Sequence, residues 1–410
     1  MKNSIFHLEN QKLKEIAISL KNKIDTGLCE NKTEVQCIPT FITPKTTGIS
    51  GKAVVLDLGG TNYRVAKVDF SGKEPAIHPN NGWKIDFSIM KKPGITQEEL
   101  LQNMADPIGE LHHEENMPIG YCFSYPAESL PQGDAKLLFW TKGVNINEMV
   151  GKPVGQPLLE YLNRKHQKKF TAIKVINDTV ASLFAGLADS SFDAYIGLIV
   201  GTGTNMASFV KADKIKKLDW EMLKKESPSI TPDSFIPINL ESGNFNPPHL
   251  TNIDHIVDAL SDNHGAQRFE KAVSGMYLGE VLKSVFPSDH FEEKFDAQKL
   301  TNMINYPDIY RKKHVATARR IYERSAKLVA ASLAGLILVL LSHDGTIKKV
   351  RLTAEGSLFW SKVKEGDSYK DLVIAEVDNL LKEFGHQNVT VSVEPVDNAN
   401  LIGTAIAALS

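Results

Sequence analysis

The chain has 410 residues, 42% of them hydrophobic and 23% charged, an ordinary globular composition with length enough for two substantial cores. Lys plus Arg number 47 against 49 Asp plus Glu, a formal net charge of -2, so no general field draws the protein to nucleic acid or an anionic membrane, and neither is expected as a partner. Three widely spaced cysteines, Cys29, Cys37 and Cys122, give neither a disulfide scaffold nor a zinc-ligand spacing.

Residues 1–20 alternate polar and apolar side chains without the apolar core of a secretory signal. The longest apolar run, 328–341, is about two-thirds of the ~20 residues that span a bilayer, so a buried core helix is expected. The cytoplasm is the default compartment. Residues 8–25 read as a helix, followed by a stretch broken at Pro39, Pro44, Gly48 and Gly51. The pattern then switches to a buried strand at 53–58, a turn at 59–62 and an alternating return strand at 63–68. A second hairpin of the same kind runs through 195–200, a tip at 201–205 and a return at 206–210. Gly-Thr-Asn occurs at both tips, which points to a duplicated α/β unit.

Between the hairpins the spacing predicts helices over 97–116 and 154–166, strands over 119–123 and 172–176, and a helix over 179–187. Residues 211–327 read as largely helical, most clearly at 254–260, 266–285 and 314–327. A strand is predicted at 348–353 and a small-residue helix at 399–409. The mixture sets the fold class as α/β.

The glycine tips suit phosphate, because backbone N–H groups approach an anion closely where no Cβ intervenes. Thr61, Thr202 and Thr204 add hydroxyls and Arg64 a positive charge. Asp57 could hold Mg²⁺ through water. Neither tip matches the common nucleotide-binding loops, and each could also be an ordinary turn. Asp178 follows a strand and precedes a helix, so it reads either as an N-cap or as a carboxylate base for a hydroxyl. Asn177 beside it offers a donor and an acceptor to a sugar diol. Lys142, in the glycine-bounded stretch 139–143, is a surface lysine or a charge that neutralises a transferring phosphate. Glu241 and Glu270 are exposed glutamates or acceptors for sugar hydroxyls.

Taken in order, these blocks resemble the hexokinase family. The segment 56–65 resembles its first phosphate motif, 120–126 and 138–143 its sugar-binding strand and following loop, and 175–180 its catalytic segment. Residues 197–205 resemble the second phosphate motif, and 239–243 with 269–280 complete the sugar site. The resemblance implies a two-lobed actin-like ATPase (ribonuclease H-like) fold with a duplicated core and a central cleft closing on sugar. Its expected divisions are an N-terminal lead-in at 1–50, a small lobe at 51–185, a large lobe at 186–396 and a helix at 397–410 returning to the small lobe. It implies Asp178 as base and Lys142 as phosphate neutraliser. Ser124, Thr141, Asn177, Asn205, Glu241 and Glu270 would bind sugar. Asp57, Gly59, Gly60, Thr61, Asn62, Arg64, Gly201, Thr202, Gly203, Gly356 and Ser357 would handle MgATP. A monomer or homodimer phosphorylating glucose, or a related hexose, is the expectation.

The chain departs from the family at 397–403, where hexokinases often carry Gly-Ser-Gly-Lys-Gly and no lysine stands here, and at Glu355, where aspartate is common. A retired sugar sensor would have lost Asp178 or Lys142, and both are present. A polymerising actin-like ATPase would have no need of the sugar blocks.

Overall fold

Strand Lys52–Leu58 forms because its apolar residues are sandwiched between two layers, and the alternation of its side chains divides them. The computed structural model describes residues 5–44, 48–59, 62–72, 74–79, 84–111, 114, 116–166 and 170–410. Two compact units divide the chain: Ile38–Ser191, Ala207–Asn239 and Pro395–Ser410 form one, and Met1–Cys37, Phe192–Met206 and Leu240–Glu394 the other. They are called here the Asp178 unit and the Glu270 unit.

In the Asp178 unit, Lys52–Leu58 pairs antiparallel with Asn62–Asp69, placing Asp57 opposite Arg64. On its other edge it runs parallel to Ile119–Phe123, which runs parallel to Ile173–Ile176. Three parallel strands therefore end on one edge of the sheet, delivering Gly59, Ser124 and Asn177–Asp178 to that edge. The carboxyl ends of parallel strands are where α/β sheets place ligands. Val54, Leu56 and Leu58 join a core with the helix Gln97–Glu110, while Ala53 and Val55 pack with Leu401 and Ala405 of the helix Ala399–Leu409.

That last helix packs on Asp178–Ala185 at backbone contact: a Cβ at Gly403 would collide with the carbonyl oxygen of Ala181. Leu401, in the stretch that lacks the family's lysine, is fully buried in this core. Residues 207–239 group with this unit, and within them Phe235–Asn239 pairs antiparallel with residues 207–211 and with Ile38–Pro39. The strand Phe235–Asn239 lies in a region read as helical. Pro237 weakens its strand signal by removing a donor, yet its carbonyl accepts from the Thr40 N–H at 2.8 Å.

The Glu270 unit holds parallel strands Ala194–Val200, Lys349–Glu355 and Thr390–Val393. The segments read as 314–327 and 328–341 are one helix, Lys312–His343, long and apolar enough to cross a membrane by length and composition; the side chains from Leu328 to Ile337 are nevertheless buried in the unit. Helix Asn10–Cys29 lies along it, close enough that a Cβ at Gly335 would sit 2.6 Å from the carbonyl oxygen of Ala17. The expected helix 266–285 is two, Arg268–Val273 and Leu278–Val285. Between them the N–H groups of Gly275 and Met276 donate to the carbonyls of Gly201 and Thr202 (2.7 and 3.3 Å), replacing helical bonds.

Helix Arg268–Val273 is anchored from beneath. Lys271, only 2% exposed at its side chain, pairs with Asp258 at 2.7 Å. Asp258 also accepts from the Gly265 N–H and pairs with Arg268. Burial pushes the Asp258 carboxyl up, but these donors outweigh it and hold it below the usual aspartate range.

Two stability outcomes follow from these contacts. Gly403→Ala should lower unfolding stability by ~1–3 kcal/mol, because its neighbour is backbone and cannot give way. Gly345→Ala, with only one atom as near as 4.0 Å, should stay within ~0.5 kcal/mol in the same urea titration. Asp258→Asn strands the Lys271 and Arg268 charges and should cost ~3–5 kcal/mol, with only part recovered in Asp258→Ala/Lys271→Met, where Arg268 still lacks its carboxylate. Equal midpoints for wild type and Asp258→Asn would show that the pair is not needed.

Candidate active site

Asp178 opens the helix Asp178–Ala185 directly after the strand Ile173–Ile176. Its neighbour Asn177 is the capping residue, its side-chain oxygen accepting from the Thr179 N–H at 2.8 Å. Asp178 Oδ1 accepts the same N–H at 2.8 Å. The carboxylate is thus oriented at a helix start, where the backbone favours negative charge. Burial raises its pKa above the aspartate value, while Lys142 and the Thr179 N–H pull it partly back.

Lys142 is exposed and has left-handed backbone, φ 59°, at a position followed by Gly143. A lysine there costs of order 1 kcal/mol against the extended or helical alternatives. Its ammonium donates to the carbonyl oxygen of Ser124 at 2.7 Å and lies 5.0 Å from the Tyr125 ring centroid. Tyr125 stacks edge-on with Trp140 at 4.9 Å, and the Trp140 indole N–H donates to the Ile146 carbonyl. This aromatic wall fixes the loop that carries Thr141 and Lys142, so Ser124, Thr141 and Lys142 are brought together.

At the first hairpin, Asp57 is 8% exposed and accepts from Arg64 through Nε (2.9 Å) and a terminal guanidinium nitrogen. The Gly59 N–H donates to the Asn62 carbonyl at 2.9 Å. Gly60 and Thr61 lie outside the described residues. The Tyr125 hydroxyl donates to the Gly59 carbonyl at 3.1 Å, tying this turn to the sugar-side loop. Cys122, buried in register with Asp57, has its thiol pushed up by burial and by the nearby Asp57 and Asp178 carboxylates. Neither contact of Tyr125 or Cys122 has a local sequence signature. Parallel pairing of Lys52–Leu58 with Ile119–Phe123 is what creates the second.

In the Glu270 unit, the second turn closes with the Gly201 N–H on the Gly203 carbonyl at 2.9 Å. Gly356, at φ 110°, lies against it: a Cβ built on Gly201 would sit 3.2 Å from the Gly356 Cα. Thr202 and Ser357 are exposed beside them. Asn205 Oδ1 accepts from the Ser242 N–H at 3.1 Å, joining the turn to the loop at Glu241, whose φ of 53° is also left-handed. Glu270 Oε2 accepts from the Thr204 N–H at 2.9 Å. Burial raises the Glu270 pKa, opposed by that N–H and by Lys271. Gly201, Thr202, Gly203, Asn205, Glu241, Glu270, Gly356 and Ser357 therefore converge within this unit.

No group of three or more His, Cys, Asp or Glu side chains able to hold a metal occurs among the described residues. A single carboxylate, Asp57, fits a Mg²⁺ that arrives with nucleotide and keeps most of its waters, not a protein-caged ion.

Family models described as hexokinase match residues 3–187 and 195–317. The Kluyveromyces lactis hexokinase is 27% identical over 99% of this chain and 90% of its own length. Rice hexokinase-2 is 30% identical over 91% of this chain and 75% of its own. The solved structure of Schistosoma mansoni hexokinase complexed with glucose superposes with a TM-score of 0.76 at 24% identity, covering 99% of this chain and 97% of that one. The expected two-lobed α/β hexokinase fold is thereby shown, and the chain belongs to the hexokinase family as a single catalytic unit.

Proposed function

We propose that the protein transfers the γ-phosphoryl group of MgATP to the 6-hydroxyl of D-glucose or a closely related hexose, giving hexose 6-phosphate and ADP. Family membership supports hexose phosphorylation. The observation that carries the mechanism is Asp178, a carboxylate held at a strand end by the Thr179 N–H, with burial raising its pKa.

A sugar hydroxyl is a poor nucleophile until its proton has somewhere to go. Asp178 takes that proton as the oxygen bonds to phosphorus and the bond to the ADP oxygen breaks. A pKa raised by burial makes Asp178 a stronger base than an exposed aspartate, and Lys142 with the Thr179 N–H opposes that rise, favouring its charged form. Lys142 donates one N–H to Ser124, and its other two donors and its charge are available to the transferring phosphoryl oxygens. Ser124, Thr141, Asn177, Asn205, Glu241 and Glu270 hold sugar hydroxyls. Asp57, Gly59, Gly60, Thr61, Asn62 and Arg64 of the first phosphate motif, with Gly201, Thr202 and Gly203 of the second and Gly356 and Ser357, are assigned to MgATP. We place the protein in the cytoplasm on this reading.

The base must be ionised to work, so kcat/KM should fall as pH drops through the Asp178 pKa. That acidic limb should lie above the 3.8 of an ordinary aspartate. Asp178→Asn should lose about 10²–10⁴-fold in kcat at neutral pH; near-normal turnover in that variant would remove Asp178 from the mechanism. Lys142→Met should lose about 10²–10³-fold in kcat. Because Lys142 lowers the Asp178 pKa, the residual activity should also show its acidic limb moved to higher pH. A limb that stays in place would mean that the two charges do not interact.

A further inference from the structure

The reading of Glu270 as a sugar ligand leaves one of its contacts unused. Glu270 Oε2 accepts the backbone N–H of Thr204 at 2.9 Å, and Thr204 ends the turn assigned to ATP phosphate. Oε1 makes no hydrogen bond among the described residues. The contact is built from both sides. Gly203 has no Cβ, and one placed there would lie 2.6 Å from Glu270 Oε2. Gly243 packs against the same carboxylate, its own Cβ position 3.6 Å from Oε2 and 3.0 Å from the Thr204 carbonyl oxygen. The Thr204 hydroxyl donates inward to the Ile199 carbonyl at 3.0 Å, which leaves the N–H as the group that meets Glu270. Beneath, Lys271 and Arg268 lock the short helix to Asp258, so Glu270 is presented on a fixed support.

We propose that Glu270 is shared between the two substrates: Oε2 holds the phosphate turn in place through Thr204, while Oε1 receives a sugar hydroxyl. The proposal rests on the sugar-site reading above and adds a positioning role toward nucleotide. A hydroxyl held at Oε1 fixes the side-chain torsions of Glu270 and so holds Oε2 against the Thr204 N–H. Sugar occupancy thereby stiffens the turn that must cradle phosphate. By linkage, nucleotide on that turn raises sugar affinity by the same factor.

The test is binding of the magnesium complex of the non-hydrolysable ATP analogue AMP-PNP to the full chain without sugar, beside glucose binding without nucleotide. Glu270→Ala should weaken the nucleotide analogue about tenfold and accelerate hydrogen exchange of the 201–205 amides. Glu270→Gln retains an oxygen that accepts the Thr204 N–H, so its nucleotide affinity and amide exchange should stay within about threefold of wild type while glucose affinity falls. Asn177→Ala, a sugar-side change in the other unit, should leave analogue binding within about twofold. If Glu270→Ala abolishes glucose binding but keeps nucleotide affinity and amide exchange at wild-type values, the shared role is overturned and the sugar reading stands. If it weakens nucleotide and leaves glucose binding intact, the sharing is overturned together with the sugar assignment of Glu270. Should Glu270→Ala fail to fold, Glu270→Asp decides: its shorter side chain withdraws the carboxylate from the Thr204 N–H, so nucleotide affinity should fall and 201–205 exchange quicken, and wild-type values for both would overturn the shared role.

Discussion

A carboxylate is a better acceptor for the proton of a sugar hydroxyl when burial raises its pKa and fixed neighbours hold it in place. At Asp178, half-buried at a strand end, burial raises the pKa, while Lys142 and the Thr179 N–H pull it partly back and orient the carboxylate. Much of the Asp178 unit serves that balance. Parallel strands carry the chain to the edge where Asp178 emerges, Asn177 caps the helix, and the Tyr125–Trp140 contact fixes the lysine loop. The helix that begins at Asp178 is in turn gripped by Ala399–Leu409, more than 200 residues away in sequence, through the glycine contact at Gly403.

The Glu270 unit solves a complementary problem, which is to present many backbone donors without leaving their turn floppy. Glycines at 201 and 356 bring backbone close to backbone and Gly203 admits the Glu270 carboxylate, but a glycine-rich turn has little side-chain packing to hold it. Hydrogen bonds from Gly275 and Met276, and the bond to Glu270, replace that packing. The Asp258–Lys271–Arg268 cluster lies below this layer and fixes the helix from which Glu270 projects.

Local chemistry was legible in the sequence where a short segment contains the whole signal. The strands Lys52–Leu58, Asn62–Asp69 and Ile119–Phe123 and the last helix Ala399–Leu409 lie where apolar periodicity placed them. The order of the motif blocks carried the family. What could not be read depends on partners distant in sequence. The break between Val273 and Leu278 is imposed by the 201–202 carbonyls, although the apolar spacing continues through it. Phe235–Asn239 is a strand because residues 207–211 and Ile38–Pro39 flank it, despite Pro237. Local reasoning offered Asp178 as an N-cap, yet the cap is Asn177, one residue earlier, and Asp178 stands inside the first turn. Tyr125, Cys122 and Asp258 gain their significance only through contacts across the sheet or between helices.

The central claim is phosphoryl transfer to a hexose by this chain, and the direct measurement is the product itself. Purified protein incubated with MgATP and each of glucose, mannose, fructose and N-acetylglucosamine should be followed by ³¹P NMR and a coupled ADP assay. The expected result is a sugar monophosphate signal on the 6-oxygen with stoichiometric ADP for glucose. ADP release without a sugar phosphate, or 6-phosphate formed from N-acetylglucosamine and not from glucose, would contradict it.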